Sequence, residues 1–254
     1  MRFTVNTKEF IKGLELSALR GKYFSSTGLK SDGLSDNASL IIQNRELRIF
    51  NGNNATALCI SVNIDELFHD GGTAIIPIKK TVDYAKKMGD ICEITLGEFF
   101  VICSGEKRVQ IPLIAQHDAA GFISMFKNQY LEYTLESENV SFGKNETEYN
   151  TILNVYGEAF ANALQLCEIT NTGIYKLDVN KEAFTISSEN GIEKVESRPA
   201  AVFQKFEDAT VEFTAPLHKL FEKDETVKIC FNDNSPIFII GGNAKIVRAP
   251  YIDA

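Results

Sequence analysis

Asp90–Ile114 reads DICEITLGEFFVICSGEKRVQIPLI, and Lys228–Ile252 reads KICFNDNSPIFIIGGNAKIVRAPYI. Set side by side without a gap, Ile91 meets Ile229, Cys92 meets Cys230, Phe100 meets Phe238 and Ile102 meets Ile240. Further along, Lys107 meets Lys245, Val109 meets Val247, Pro112 meets Pro250 and Ile114 meets Ile252. Within the first copy, Ile91–Leu96, Phe99–Ser104 and Lys107–Ile114 read as three consecutive strands. Two copies of one β-rich unit imply a duplicated domain, and that duplication governs the reading of the whole chain.

Upstream of the first copy, Lys79–Met88 has a helical period and Gly89 ends it. Val82, Tyr84, Ala85 and Met88 share one side, with Lys79, Lys80, Lys86 and Lys87 opposite. Thr73–Ile78 reads as a strand after the Gly71-Gly72 break. Ser39–Gln43, Glu46–Phe50 and Thr56–Asn63 are further strands, the first two joined by a turn at Asn44-Arg45. Gly21–Asn37 is polar and reads as a loop. The chain opens with a strand, Arg2–Asn6, and a helix from Lys8 to about Leu19 that Thr7 can cap. Phe10, Ile11, Leu14 and Ala18 form the apolar face of that helix, with Lys8, Lys12 and Glu15 on the other side. The order is strand, helix, three strands, and then the same again.

The second half repeats it. An offset of 150 pairs Val5 with Val155, Phe10 with Phe160, Leu14 with Leu164 and Leu16 with Leu166. The strand Thr151–Val155 leads into a helix, Gly157–Glu168. Strands at Ile174–Val179, Ala183–Ser188, Ile192–Arg198 and Val211–Thr214 follow, then a helix Pro216–Lys223 and the second quoted copy. Residues 115–148 lack a clear period; they hold the apolar cluster Phe122, Ile123, Met125 and Phe126 and a candidate strand, Tyr130–Leu135. The expected organisation is a domain over 1–114, a connector over 115–148 and a second domain over 149–254. The fold class is α+β: two duplicated domains, each a doubled βαβββ unit, with antiparallel sheets and a few amphipathic helices on one face.

Of the 254 residues, 44% are hydrophobic and 24% charged, the composition of a globular chain that buries a real core. No apolar run approaches the ~18 residues of a membrane helix, and MRFTVNTKEF does not read as a secretory signal. Five cysteines (59, 92, 103, 167 and 230) show no CxxC spacing, which points to reduced, buried thiols and a cytoplasmic setting. The net charge of −8 argues against indiscriminate wrapping of nucleic acid, so the placement of the lysines matters more than their sum.

Several strings carry a family resemblance. Tyr149–Cys167, YNTILNVYGEAFANALQLC, resembles the strand and helix that open the second domain of two-domain DNA sliding clamps, the proliferating cell nuclear antigen family. Val211–Glu222, VEFTAPLHKLFE, is similar to that family's last helix and the strand before it. Asn232–Ile237 looks like its late turn, and Arg248-Ala249-Pro250 sits where it carries an Ala-Pro tail. The opening MRFTVNTKEFIKGL is also similar to the start of bacterial β-clamp domains. The resemblance spans almost the whole chain in order and spacing, through short, degenerate strings.

The resemblance implies a ring of three identical chains around double-stranded DNA, with sheets outside and helices lining the hole. Lys8, Lys12, Lys79, Lys80, Lys86, Lys87, Lys219 and Lys223 would face phosphates, a sequence-independent contact. The helix 157–168 departs from this pattern, because its outer side carries Glu158, Asn162 and Gln165 and no cation. Ring closure would pair strand edges of neighbouring chains: Lys107, Arg108, Val109 and Ile111 on one, Glu193, Val195 and Glu196 on the other. The charges of the two edges read as complementary. A partner-peptide groove would include Thr56, Pro236, Val247, Ala249 and Pro250, roofed by Phe122, Ile123, Met125 and Phe126. A replicative DNA polymerase and a clamp-loading ATPase are the implied partners, with no cofactor, no metal and no membrane.

Read from the residues, enzymatic chemistry has little support. His69, His117 and His218 fall in no metal-ligand spacing, and GxSxG, P-loop and dinucleotide motifs are absent. Cys92 and Cys230 read as packing residues, and Glu136/Glu138 and Glu146/Glu148 as solvated pairs. The competing readings are a subunit of a heteromeric clamp, a viral processivity factor that closes no ring, and a β-rich interaction scaffold with no DNA role.

Overall fold

The computed structural model describes residues 1–19, 34, 36–43, 45–52, 56–114, 141–142, 147–181, 183–214, 217–221 and 225–251. The chain forms two compact units. One comprises Met1–Arg20, Gly33–Asn53 and Ala57–Phe126, and the other Gly21–Asp32, Asn54–Thr56 and Lys127–Ala254.

The first unit runs β1 (Arg2–Asn6), α1 (Thr7–Ser17), β2 (Asn37–Gln43), β3 (Glu46–Gly52), β4 (Thr56–Asn63), β5 (Glu66–His69), β6 (Thr73–Pro77), α2 (Ile78–Ala85), β7 (Ile91–Leu96), β8 (Phe99–Ser104) and β9 (Lys107–Pro112). One sheet has the order β5-β1-β7-β8-β9. A second set of strands pairs in the order β6-β2-β3-β4. Every pairing is antiparallel.

The second unit runs β10 (Ser141–Phe142), β11 (Thr147–Glu148), β12 (Thr151–Tyr156), α3 (Gly157–Cys167), β13 (Ile174–Asn180), β14 (Ala183–Glu189), β15 (Lys194–Ser197), β16 (Ala201–Lys205), β17 (Ala209–Thr214), β18 (Thr226–Phe231), β19 (Ile237–Gly241) and β20 (Ala244–Arg248). Its strands repeat the plan: β16-β12-β18-β19-β20 in one set and β17-β13-β14-β15 in the other. In both units the chain leaving the last strand turns back onto another strand. Ile114 N donates to Ile75 O, and Tyr251 N donates to Glu212 O.

Several expectations need correction. The unit is not βαβββ twice, because β5 and β16 add a fourth strand to each first half. Glu66–His69 is only four residues long, too brief for alternation to register as a strand, and His69 lies on it rather than in a loop. The helix expected over Pro216–Lys223 is, among the described residues, a single 3-10 turn at Leu217–Leu220. The second helix ends at Ala85, so Lys86 and Lys87 stand in the turn beyond it. Tyr130–Leu135 lies outside the described residues.

A further correction concerns register. Val5 and Val155 each stand two residues before a helix. Val5 pairs with Cys92, whereas Val155 pairs with Val227. Cys230 pairs instead with Ile152, on the opposite face of its sheet from Val227. Likewise Ile102 pairs with Ile94 and Val109, while Ile239 pairs with Ile229 and Ile246. Val109 thus corresponds to Ile246, not to Val247. The copies are real, but the gapless alignment sets residues from opposite faces together, since a slip of one position exchanges faces.

Local chemistry explains the helices. Asn6, not Thr7, caps α1: its Oδ1 accepts from Lys8 N at 3.0 Å and Glu9 N at 3.2 Å. The Thr7 hydroxyl donates to Gly89 O at 2.6 Å, tying the start of α1 to the end of the α2 turn. Phe10 and Leu14 are fully buried, and Phe10 packs 6.5 Å from Phe100, centroid to centroid. Gly13 lies between them on the buried face. A Cβ there would come 2.6 Å from Val62 Cγ2 and 2.9 Å from Ile49 Cδ1, so only glycine lets α1 sit this close to β3 and β4. In the second unit, Phe160 of α3 packs 5.3 Å from Phe221.

Gly13→Val is expected to destabilise the first unit by about 1–3 kcal/mol, since overpacking forces neighbours off their rotamers. Urea unfolding should show a lower midpoint for the first transition and an unchanged slope. An unchanged midpoint would mean that Val62 and Ile49 yield freely.

Candidate nucleic-acid interface

α1 and α2 bury their apolar sides and leave charge outside. Phe10, Gly13, Leu14 and Ser17 of α1 and Ile78, Thr81, Val82 and Ala85 of α2 are buried. Lys8, Lys12, Lys79, Lys80, Lys86 and Lys87 are exposed, together with Glu9, Glu15 and Asp83. The two helices pack on each other within the first unit, so these lysines share one surface. Lys79 and Lys80 occupy the first turn of α2, where the helix dipole disfavours cations. Helix stability therefore does not account for their placement.

Lys86 and Lys107 on this side are engaged. Lys86 Nζ lies 2.7 Å from Glu15 Oε1, and this hydrogen bond holds the amine above its ordinary range. Lys107 Nζ donates to Lys87 O at 2.6 Å, placing a cation on a carbonyl just past the end of α2. Lys107 thus turns toward α2, while Arg108 points to the other face of β9.

The second unit presents a different surface. Lys219 is exposed on the 3-10 turn, and Lys223 lies outside the described residues. The outer side of α3 carries half-buried Glu158 and exposed Asn162, Gln165 and Leu166, and Ile169 is exposed on the 3-10 turn that follows, Glu168–Thr170. Glu168 is tied down: His218 Nδ1 approaches its Oε1 at 2.6 Å without the alignment of a hydrogen bond, and the Tyr175 hydroxyl donates to the same oxygen at 3.1 Å.

The expected subunit edges both lie at sheet margins. Among the described strands, β9 pairs with β8 alone and β15 with β14 alone. Val109 and Val195 are half-buried, and Ile111 points fully into the core. Glu193 precedes β15 in a turn where Asn190 Oδ1 accepts from Ile192 N and Glu193 N. Glu196 is already compensated by its own strand. Arg198 Nη2 is 2.7 Å from it and Lys194 Nζ 3.6 Å, and Arg198 first of all holds its carboxyl below the ordinary range. The expectation of charge-complementary edges is thereby weakened.

Of the expected peptide groove, Thr56 and Val247 are buried, while Pro236, Ala249 and Pro250 are half-buried. Pro236 O accepts from the Tyr149 hydroxyl at 3.0 Å. Phe122, Ile123, Met125 and Phe126 lie outside the described residues. Sequence reading missed a polar cleft of about 430 Å³ on the second unit, lined in part by Lys176, Asp178, Glu196, Arg198, Glu212 and Tyr251. Alternation along β13 was the available signal, since Tyr175, Leu177 and Val179 face inward and leave Lys176 and Asp178 outside.

Among the described residues, no group of three His, Cys, Asp or Glu side chains is placed to hold a metal, and no helix is long and apolar enough to cross a membrane. Burial pushes up the thiols of Cys92, Cys167 (to about 11) and Cys230 (to about 12), the opposite of what a nucleophilic cysteine needs.

No protein-family model matches the chain, and no curated protein matches it in sequence. Solved structures do match in fold. A DnaN sliding clamp (DNA polymerase III subunit beta) from Pseudomonas aeruginosa, bound to griselimycin, superposes with a TM-score of 0.72 at 14% identity. The match covers 100% of this chain and 65% of that one, so the chain spans just under two thirds of the bacterial clamp. The A. fulgidus PCNA bound to the C-terminal region of FEN-1 gives a TM-score of 0.70 at 13% identity, covering 100% of this chain and 99% of that one. Proliferating Cellular Nuclear Antigen from Entamoeba histolytica gives 0.67 at 11% identity, covering 99% and 98%. The fold of this chain is that of the DNA sliding clamps.

Limited alkylation of the native protein is expected to modify Cys103 first, because it is the one cysteine that is not buried. Peptide mass spectrometry should find Cys167 and Cys230 unlabelled until the chain is denatured. Early labelling of Cys230 would show that its sheet opens readily.

Proposed function

We propose that the chain is a DNA sliding clamp, a polymerase processivity factor that closes into a ring of three copies and performs no chemistry itself. The observation that carries this reading is the lysine surface of α1 and α2. In a chain of net charge −8, six exposed lysines gather on two packed helices of a clamp fold and the turn after the second, two of them against the helix dipole. Lysines supply charge on flexible stems and do not read base edges, which suits weak, mobile contact with the phosphates of duplex DNA. Two unpaired margins, β9 and β15, supply the means of closing a ring, because each presents a row of backbone donors and acceptors.

The replicative polymerase and the clamp-loading ATPase would share a docking site near Pro236, Ala249 and Pro250, whose half-buried side chains suit a peptide with a few large apolar anchors. Val247 is not a usable probe of that site, since an Asp in its buried position would disturb the sheet before any partner.

Replacing Lys79, Lys80 and Lys87 by Glu is expected to reduce retention on closed circular primed DNA at least tenfold, with thermal stability nearly unchanged because all three are exposed. Wild-type retention should fall steeply with salt and show no sequence preference. Equal retention of both proteins at low salt would leave these lysines as solvated surface and favour a scaffold with no DNA role. Val109→Pro and Val195→Pro should each remove a ladder donor and release single chains in sedimentation. If the mass holds in both variants, these strands are not the subunit boundary.

A further inference from the structure

We propose that the polar cleft on the second unit takes an extended segment of another protein, one that carries an acidic and a basic side chain two positions apart. The proposal goes beyond the clamp reading and does not depend on it.

The cleft is built on the outward side of the sheet β17-β13-β14-β15. Tyr175, Leu177 and Val179 of β13 fill the core, so Lys176 and Asp178 are turned out. The ladder sets Lys176 between Glu212 on β17 and Ser187 on β14, and Asp178 between Thr210 and Thr185. Ser187 in turn pairs with Glu196 on β15. The row from Glu212 to Glu196 crosses three interstrand steps, roughly 14 Å. Tyr251 lines the end beside β17, held there by the bond from its N to Glu212 O at 2.7 Å.

Most charges of the cleft are already answered. Glu196 has Arg198 at 2.7 Å and Lys194 at 3.6 Å, and Asp178 accepts from the Thr210 hydroxyl. Lys176 and Glu212 are different. They stand directly opposite each other on neighbouring strands, with Cβ atoms about 5 Å apart. Yet among the described residues neither side chain has an ion pair or a hydrogen bond. Both are half-buried, so water serves each incompletely. The hydroxyls of Thr185 and Ser187 on the next strand are likewise uncommitted among the described residues. Glu189 is also without a partner there, but it is exposed at the far corner, where water serves it.

These open groups select the occupant. A wholly acidic ligand, such as a phosphate backbone, meets four carboxylates against three cations. A wholly basic one leaves Lys176 unanswered and adds to the charge around it. A ligand with one charge of each sign satisfies both groups. Its carboxylate takes the Lys176 amine and the hydroxyls of Ser187 and Thr185, and its cation takes Glu212. An extended chain brings side chains two positions apart onto one side at about 6.6 Å, a separation that the long stems of Lys176 and Glu212 can span. About four or five extended residues cover the row. Small-molecule sites are enclosed and mostly apolar, whereas this floor is the polar face of a sheet, which favours a peptide over a free amino acid.

The test uses the full chain and three end-blocked pentapeptides: Ser-Lys-Ser-Glu-Ser, Ser-Glu-Ser-Glu-Ser and Ser-Lys-Ser-Lys-Ser. In amide NMR titrations, Ser-Lys-Ser-Glu-Ser is expected to shift the β13 and β14 resonances saturably, with Kd on the order of 1 mM. The other two should fail to saturate. Lys176→Gln and Glu212→Gln should each weaken that binding roughly fivefold, with the melting temperature unchanged. Three peptides acting alike, variants that bind as wild type does, or no shift at all would overturn the proposal. Equal shifts from a mixture of free lysine and glutamate would assign the cleft to small charged molecules and overturn the peptide as its occupant. A lowered melting temperature in each variant, with non-additive loss in the double variant, would show that Lys176 and Glu212 pair with each other in solution, and that result also overturns it. None of these readouts involves DNA retention or ring mass, so either reading can fail without the other.

Discussion

In each unit one strand organises the rest. β1 and β12 stand one place in from the margin of the five-strand sets, bonded on one side to β5 or β16 and on the other to β7 or β18. Each then passes directly into a helix that returns across the apolar face. Because side chains alternate along a strand, the pairing of Val5 with Cys92, and of Val155 with Val227, fixes which face of every later strand meets the helix. Phe3, Val5, Leu153 and Val155 are accordingly almost fully buried, while Arg2 and Asn6 stay outside. The lysine surface, the two margins and the cleft all inherit their positions from this register.

The same register places charge where composition does not predict it. Lys228 lies on β18 with no exposed surface, and burial pushes its amine down from the ordinary lysine range. A buried amine needs favourable contacts or it sheds its charge. Since its native proton affinity is lowered, its unfavourable contribution is felt at neutral pH and eases as pH rises toward the unfolded lysine range. Arg48 and Arg248 are likewise almost excluded from water. Arg248 donates to the hydroxyls of Thr56 and Thr214. Hydroxyls accept from a guanidinium but do not neutralise it, so they offset only part of the cost of burying the charge. In an acidic chain these interior cations are unavailable to any anionic partner, so only exposed cations, those of α1 and α2 among them, can meet one.

Much of the fold was legible in advance because strands and helices announce themselves through period. The duplication, the α+β class and most strand positions follow from the apolar alternation of stretches such as Phe99–Ser104 and Ile174–Asn180. The lysine side of α2 was legible for the same reason, since Ile78, Val82 and Ala85 define its opposite. Other features left no local trace. β5 and β16 are short margin strands whose partners lie far along the chain. Asn6 displaced Thr7 as the cap because Thr7 found Gly89 O, a contact across 82 residues. The compensation of Glu196 depends on side-chain reach that no strand pattern encodes.

By itself, the sequence determined that there are two copies of one β-rich plan, which residues are apolar enough to form their cores, and which helix sides must carry charge. Those properties depend on neighbours within a few positions, where period and composition act. Only the tertiary structure decided that Cys92 and Cys230 take opposite faces of their own sheets, that Lys228 is interior, and that β9 and β15 stand at margins among the described strands. Each of these is set by pairing between strands remote in sequence. A shift of one residue in such pairing preserves every local pattern while exchanging the inside of the sheet for the outside.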